Sequence, residues 1–261
     1  MPIPKSQTGE MPFLDHLEEL RWRIIYSLGA LVIGVGIGFF LTIKLDLILW
    51  LQQPVLPYLR GNTLVYTHPG DTFSTMLQMS LVVGIAFALP VIGYNVWAFL
   101  SPALYRHERR VVIPVLMAAT LLFAGGVALA YFLVLPLTLR FLFGLEARSL
   151  TPMITVSEYF GFVTSMCLAF GAVFEVPIVI VALSAFGIVS PQTLGKFRRY
   201  AIIIAYGGAA IITPGDLLTT TVALAVPLYL LYEMSVAVAY IIYRRKARSD
   251  ARLAAEEGVP A

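Results

Sequence analysis

Four places in this sequence hold polar residues whose type and spacing allow chemistry. The first is the stretch 13–23, FLDHLEELRWR, where Glu18 and Glu19 lie between His16 and the basic residues Arg21 and Arg23. Glu19 and Arg23 are four apart, so a helix makes an ion pair available. From charge pattern alone this is a solvated helix face closed by a local salt bridge. The second is 97–110, WAFLSPALYRHERR, where Glu108 stands among Arg106, Arg109 and Arg110. Its carboxylate either neutralises that cluster or accepts a cationic ligand beside an apolar wall formed by Phe99. The third is Glu175, two residues before Pro177 in a long apolar run. An unpaired carboxylate at mid-bilayer costs of order 2.5–3.5 kcal/mol on insertion, so it must face the bundle interior or a wet cavity. Partner-helix recognition, proton coupling, local membrane thinning and a packing hydrogen bond all remain open for it. Glu233, in the last apolar run, poses the same question. The fourth is 213–216, TPGD, a strong turn signal in which Asp216 can cap the helix that follows.

Other chemistries find no footing. The three histidines His16, His68 and His107 are scattered near loops, and His68 with Asp71 has no evident third partner for a metal. No intramembrane Ser-His or Asp-Asp arrangement is present. Cys167 is the only cysteine and stands inside an apolar run, so no intramolecular disulfide can form. Neither an enzyme nor a cofactor-binding protein is expected.

The elements that carry these residues are set by hydropathy. The chain is 59% hydrophobic and 13% charged, with mean hydropathy +0.85. Soluble domains carry about 25% charged residues, so a lipid environment is the economical reading. A helix needs roughly 20 residues to cross about 30 Å of hydrocarbon. Five apolar runs meet that length, at 24–43, 73–100, 111–135, 159–188 and 217–243. A sixth, 200–213, has about 14 residues, or ~21 Å of helix. Either it is a short span paired with the next across the TPGD turn, or the helix extends beyond the apolar run. The expected class is therefore all-α, a polytopic membrane protein with six transmembrane helices and a short fifth. Its expected regions are an N-terminal segment at 1–23 with an amphipathic helix, a membrane domain at 24–243, and a disordered tail at 244–261. Residues 13, 17, 20 and 24 recur at helical spacing, a face that can lie on the membrane surface. With Asp15, Glu18 and Glu19 in it, the first segment does not read as a cleavable signal peptide.

Basic residues give the orientation. Of 18 Lys and Arg, all but Lys44, Arg60, Arg140 and Arg148 fall on the side of the N-terminus. The positive-inside rule then puts both termini in the cytoplasm. The same distribution accounts for the net charge of +3 without invoking nucleic acid. Trp50, Pro54, Pro57 and Tyr58 suit a short interfacial helix in the first outer loop.

Taken together, these segments resemble the TatC family of the twin-arginine protein export system. HLEELRWR at 16–23 is similar to the family's N-terminal motif HLxELRxR, and 96–110 to its first cytoplasmic loop at nearly every position. AFGAVFEVP at 169–177 resembles the fourth-helix motif, and TPGD at 213–216 the last periplasmic turn. The resemblance covers roughly residues 12–245. It implies a concave, glove-like bundle in a bacterial inner membrane, with no hydrolytic activity. It further implies a receptor for signal peptides with consecutive arginines, working with single-span TatA and TatB partners under the proton-motive force, as a homo-oligomer within a larger complex. By the same match Glu19 and Glu108 recognise the arginine pair, with Phe99 beside them and Arg21 in the same motif. Two guanidinium forks call for two carboxylates, each bound bidentately. Partner helices would meet Glu175, Thr213, Asp216, Thr220 and Glu233. Thr220 stands where a well-known member has glutamine, so a contact there would be through a hydroxyl. The rival reading is a proton-coupled small-solute transporter using Glu175 and Glu233 at the midplane, against which stands the lack of clear inverted repeats.

Overall fold

The computed structural model describes residues 13–59, 61–100, 112–145, 153–185, 188–212 and 219–256. Glu108, Thr213 and Asp216 lie outside them, as does the side chain of Thr220. The first helix, α1 (Phe13–Lys44), is 32 residues long, or about 48 Å. Nothing between 13 and 28 breaks it, since that stretch contains neither glycine nor proline. Residues 13–23 are thus continuous with the first span in one helix.

After α1 the chain turns through Asp46, whose φ of 47° is left-handed, into the short helix α2 (Leu47–Leu51) and a 3₁₀ turn at Leu56–Tyr58. These form a packed cap. The Tyr131 hydroxyl donates to the Trp50 carbonyl and the Tyr159 hydroxyl to the Leu51 carbonyl, both at 2.8 Å. Trp50 also stacks on Tyr131 with centroids 4.6 Å apart, and Val55 and Leu59 are buried. Further on, Val65 forms a parallel β-bridge with Thr155. The loop does hold a short helix, and its Trp50 is tied down by other helices.

Four helical stretches follow. α3 (Asp71–Leu100) runs through Pro90. α4 (Val112–Leu129) continues through a π-helical turn at Ala130–Val134 into α5 (Leu135–Leu145), making one rod. α6 (Val156–Phe174) starts at Thr155, whose hydroxyl accepts the Glu158 N–H at 3.2 Å. It stops at Glu175, and α7 (Val176–Ala185) resumes at once. Pro177 explains the interruption: it has no N–H to give the Val173 carbonyl, and its ring disfavours helical geometry before it.

The last two helices differ from their hydropathy pattern. α8 (Pro191–Ile212) has 22 residues, or about 33 Å, because the helix begins well before the apolar run. Lys196, Arg198 and Arg199 lie in its first half, so only its second half is continuously apolar. The short fifth apolar run therefore belongs to a helix of ordinary length. α9 (Thr219–Glu256) has 38 residues and passes through Pro227. The tail expected to be disordered is helical to Glu256. Its alanines, arginines and glutamates are strong helix formers, and no glycine or proline occurs before Gly258.

Close approach is made possible by glycine at two crossings. Between α1 and α3, a methyl on Gly34 would collide with the Gly84 carbonyl, and one on Gly38 with the Ser80 carbonyl. A methyl on Gly84 would lie 2.6 Å from the Val35 nitrogen. Small residues let membrane helices bring their backbones together where no water-driven force assists. Between α4 and α6, Gly171 faces the Phe123 ring and Gly126 faces Phe170 and Phe174. The main core gathers around Phe160, Phe170, Val163 and Leu135. Among the described residues five of the helical rods are long and apolar enough to cross a membrane, and with α8 the bundle has the six rods of a six-span protein.

Candidate functional site

One stripe along α1 decides which polar residues meet α3. His16, Glu19 and Arg23 fall on the same helical face as Gly34 and Gly38, the glycines at the α1–α3 crossing. That face is turned toward α3, so the Phe13 end of α1 comes beside the last turns of α3. There the His16 ring stacks on Phe99, centroids 4.4 Å apart and planes 18° from parallel. Arg21, on the other side of the helix, is exposed.

Glu19 and Arg23 form the ion pair that their spacing allows. Arg23 donates from Nε at 2.9 Å and also from Nη2, both to Oε1 of Glu19. The second oxygen, Oε2, is buried and has no donor among the described residues. That acceptor lies on the helix face that also carries the His16 ring stacked on Phe99. The structure brings Glu19 and Phe99 to one end of the bundle. It says nothing of Glu108, although α3 leads into the segment that carries it.

Glu175 occupies the α6–α7 interruption. It is half-buried, and its Oε1 is enclosed with no hydrogen-bond partner among the described residues. Its backbone carbonyl accepts from Ile178 at 3.0 Å and Val179 at 3.1 Å, which restarts the helix.

Glu233 has company that sequence reasoning missed. Its Oε2 is 2.9 Å from Arg198 Nη2 on α8, and its Oε1 accepts the Tyr229 hydroxyl at 2.7 Å. A third contact, Tyr232 hydroxyl to the Leu194 carbonyl at 2.6 Å, ties α9 to the start of α8. A signal was available: Arg198 and Glu233 lie almost equally far before and after the 213–216 turn, so an antiparallel hairpin sets them level. The cap on the other side gave a weaker one, since nothing in the sequence pairs Tyr131 and Tyr159 with carbonyls of a distant loop.

Among the described residues no group of three or more His, Cys, Asp or Glu can hold a metal ion. Apolar rods with few ionisable groups, one acidic station at an end of the bundle and one interrupted span define a polytopic α-helical membrane protein. The comparisons sharpen this class. The family described as Sec-independent protein translocase protein (TatC) matches residues 15–227. A TatC of Aquifex aeolicus is 42% identical over 238 residues, covering 90% of this chain and 98% of the relative. That of Escherichia coli K12 is 37% identical over 233 residues, covering 88% and 89%. The crystal structure of the twin arginine translocase receptor TatC superposes with TM-score 0.69 at 41% identity, covering 87% of this chain and 99% of that one. A second crystal structure, in DDM, gives 0.71 at 42% identity over 86% and 99%. The chain belongs to the TatC family of protein translocase components.

Proposed function

We propose that this chain is the receptor subunit of a twin-arginine translocase. It binds paired-arginine signal peptides at the cytoplasmic end of α1 and α3. Glu19 and Glu108 take one guanidinium each, Phe99 supplies the apolar wall, and Arg21 lies on the outer side of the same motif. Membership in a translocase family and likeness to a solved twin arginine translocase receptor support this reading. The observation that carries it is the His16–Phe99 stack, which joins the Glu19 segment to the helix leading to Glu108.

On this reading the protein lies in the bacterial inner membrane with both termini in the cytoplasm, as the basic residues suggest. It is not an enzyme. It assembles with further copies of itself and with single-span TatA- and TatB-type partners, which meet Glu175, Glu233 and the turn region of Thr213, Asp216 and Thr220. Export of folded cargo is driven by the proton-motive force. The Arg198–Glu233 pair gives Glu233 a partner and so weakens the case for a small-solute transporter with two midplane carboxylates.

The test is site-specific crosslinking in native membranes. A photoreactive group placed at Leu17 should capture a peptide with an Arg-Arg signal and release it when both arginines become lysine. Glu19→Ala and Glu108→Ala should each weaken capture by 10-fold or more, the scale of about 1.5–3 kcal/mol for a hydrogen bond to a charged group. Wild-type capture by the double variant would overturn the assignment.

A further inference from the structure

Hydroxyls inside this bundle have a regular way of being satisfied. Thr42 donates to the Gly38 carbonyl, Ser80 to Met76, Thr120 to Leu116 and Ser235 to Leu231, each four residues back on its own helix. Thr75 on α3 and Thr164 on α6 depart from it. Both are buried, at 0% and 5% exposure, and among the described residues neither hydroxyl has a hydrogen-bond partner. Gln78, on the same face of α3 as Thr75, has its Oε1 enclosed and equally without a donor among the described residues.

Two contacts bring these three side chains to one place. At the start of both helices the Ser157 hydroxyl lies beside the Asp71 carboxylate. Further in, Oε1 of Gln78 lies 3.9 Å from where a side-chain carbon on Gly161 would stand. α3 and α6 therefore run side by side in the same direction. Equal steps from Asp71 and Ser157 put Thr75 level with Gly161 and Gln78 level with Thr164. Ser157, Gly161 and Thr164 share one face of α6, and a long side chain on a helix leans toward the helix start. The Gln78 amide is thus carried back to the level of Thr75 and Gly161.

Gly161 supplies the room. Apart from its own helix backbone, the added carbon would have Oε1 of Gln78 as its one neighbour within 4 Å. The surroundings are polar and neutral, since glutamine and threonine offer both donors and acceptors. Asp71, the carboxylate seen at this interface, is a turn away and already accepts the Thr67 and His68 N–H groups. A cation would ask for several charged or carbonyl oxygens. An apolar chain would leave all three polar groups orphaned within a membrane span. Water, which takes about three polar partners when buried, fits both the room and the chemistry.

We propose that α3 and α6 hold an internal water site at this level, in which at least one water molecule joins Oε1 of Gln78 to the hydroxyls of Thr75 and Thr164 beside Gly161. The site makes a polar joint between two spans and is independent of the signal-peptide reading.

Hydroxyl-radical footprinting of the full chain in nanodiscs, with the radicals made from water by X-rays and read by mass spectrometry, tests it. Radicals formed from bound water oxidise the side chains beside it. Met79, next to Gln78 and one turn from Thr75, is 4% exposed, and Met166, on another face of α6, is 3% exposed. Their equal burial makes Met166 the control. In the wild type Met79 should oxidise several-fold faster. Gly161→Ala adds a methyl at the site without a clash, its nearest contact being 3.9 Å. Met79 oxidation should then fall to that of Met166, and the melting temperature should drop although alanine is the better helix former. Gln78→Leu combined with Thr75→Val and Thr164→Val nearly keeps the volume, removes the polar groups, and should also bring Met79 down to Met166. Equal oxidation of the two methionines in the wild type overturns the proposal, as does undiminished oxidation of Met79 in either variant. A crystal structure grown from lipid should show a water oxygen within hydrogen-bond distance of Oε1 of Gln78. Threonine hydroxyls turned to the Asp71 and Phe160 carbonyls, with no water between the helices, would overturn it as well.

Discussion

Replacing Gly84 by alanine tests whether the α1–α3 crossing positions the end proposed to bind signal peptides. The added methyl would sit 2.6 Å from the Val35 nitrogen and 2.7 Å from its Cα, about 0.8 Å inside the 3.4 Å where ordinary contact begins. Both are backbone atoms, so no side chain can swing away, and the helices must separate. Overpacking of this kind costs typically 1–3 kcal/mol. Separation also draws the Phe13 end of α1 away from α3, loosening the 4.4 Å His16–Phe99 stack. A loss of 1–3 kcal/mol is roughly a 5- to 150-fold change in an equilibrium. Gly84→Ala should therefore lower the melting temperature in detergent and reduce signal-peptide crosslinking at Leu17. Gly36→Ala is the control: it lies on the same α1 with nothing within 4 Å of the added carbon. There alanine should be neutral or slightly stabilising, since glycine is the poorer helix former. If Gly84→Ala melts like the wild type, or if Gly36→Ala is equally harmful, the crossing does not work as described.

Three further outcomes are expected. Glu175→Gln should retain much of the transport measured in membrane vesicles and Glu175→Ala little, if the enclosed Oε1 serves by hydrogen bonding to a partner; equal failure of both would point to proton exchange, and normal transport by both would leave a packing role only. Tyr159→Phe should cost about 1 kcal/mol by orphaning the Leu51 carbonyl, and should increase proteolysis within 45–59. In a Cys167→Ala background, single cysteines at Arg199 and Gly61 should label from the cytoplasmic and outer sides respectively; labelling of the first only from outside would reverse the topology.

Much of the fold was legible because lipid imposes a simple rule: every span must be a long apolar helix. The runs at 24–43, 73–100 and 159–188 lie within α1, within α3 and across α6–α7 for that reason. Hydropathy failed where helix and apolar run are different things. α8 extends through Lys196, Arg198 and Arg199, which end the apolar run without ending the helix. α9 continues past the end of its apolar run, through residues of high helix propensity. At the site, the Glu19–Arg23 pair was readable because it is local. The His16–Phe99 stack and the Arg198–Glu233 pair join different helices, and a single sequence gives spacing along an element, not the angle between two. Glycines 34, 38 and 84 show the same limit: each is an ordinary helix glycine until its partner helix is known.

The α1–α3 crossing also has a mechanical meaning. Among its long neighbours α1 packs on α3, and only 11% of its most apolar window is buried in the bundle. Its Lys44 end is held by the cap, and Gly34 and Gly38 seat it on α3. From Gly34 back to His16 is about 27 Å of helix with no break. That length is a lever arm with its fulcrum inside the bilayer. A tilt of about 5° at the fulcrum moves the His16 end by about 2.4 Å, enough to pull the stacked rings of His16 and Phe99 away from each other. Any ligand wedged between Glu19 and Phe99 therefore applies torque to a rigid rod, and the pivot carries the turn to the buried backbone contacts at Gly84.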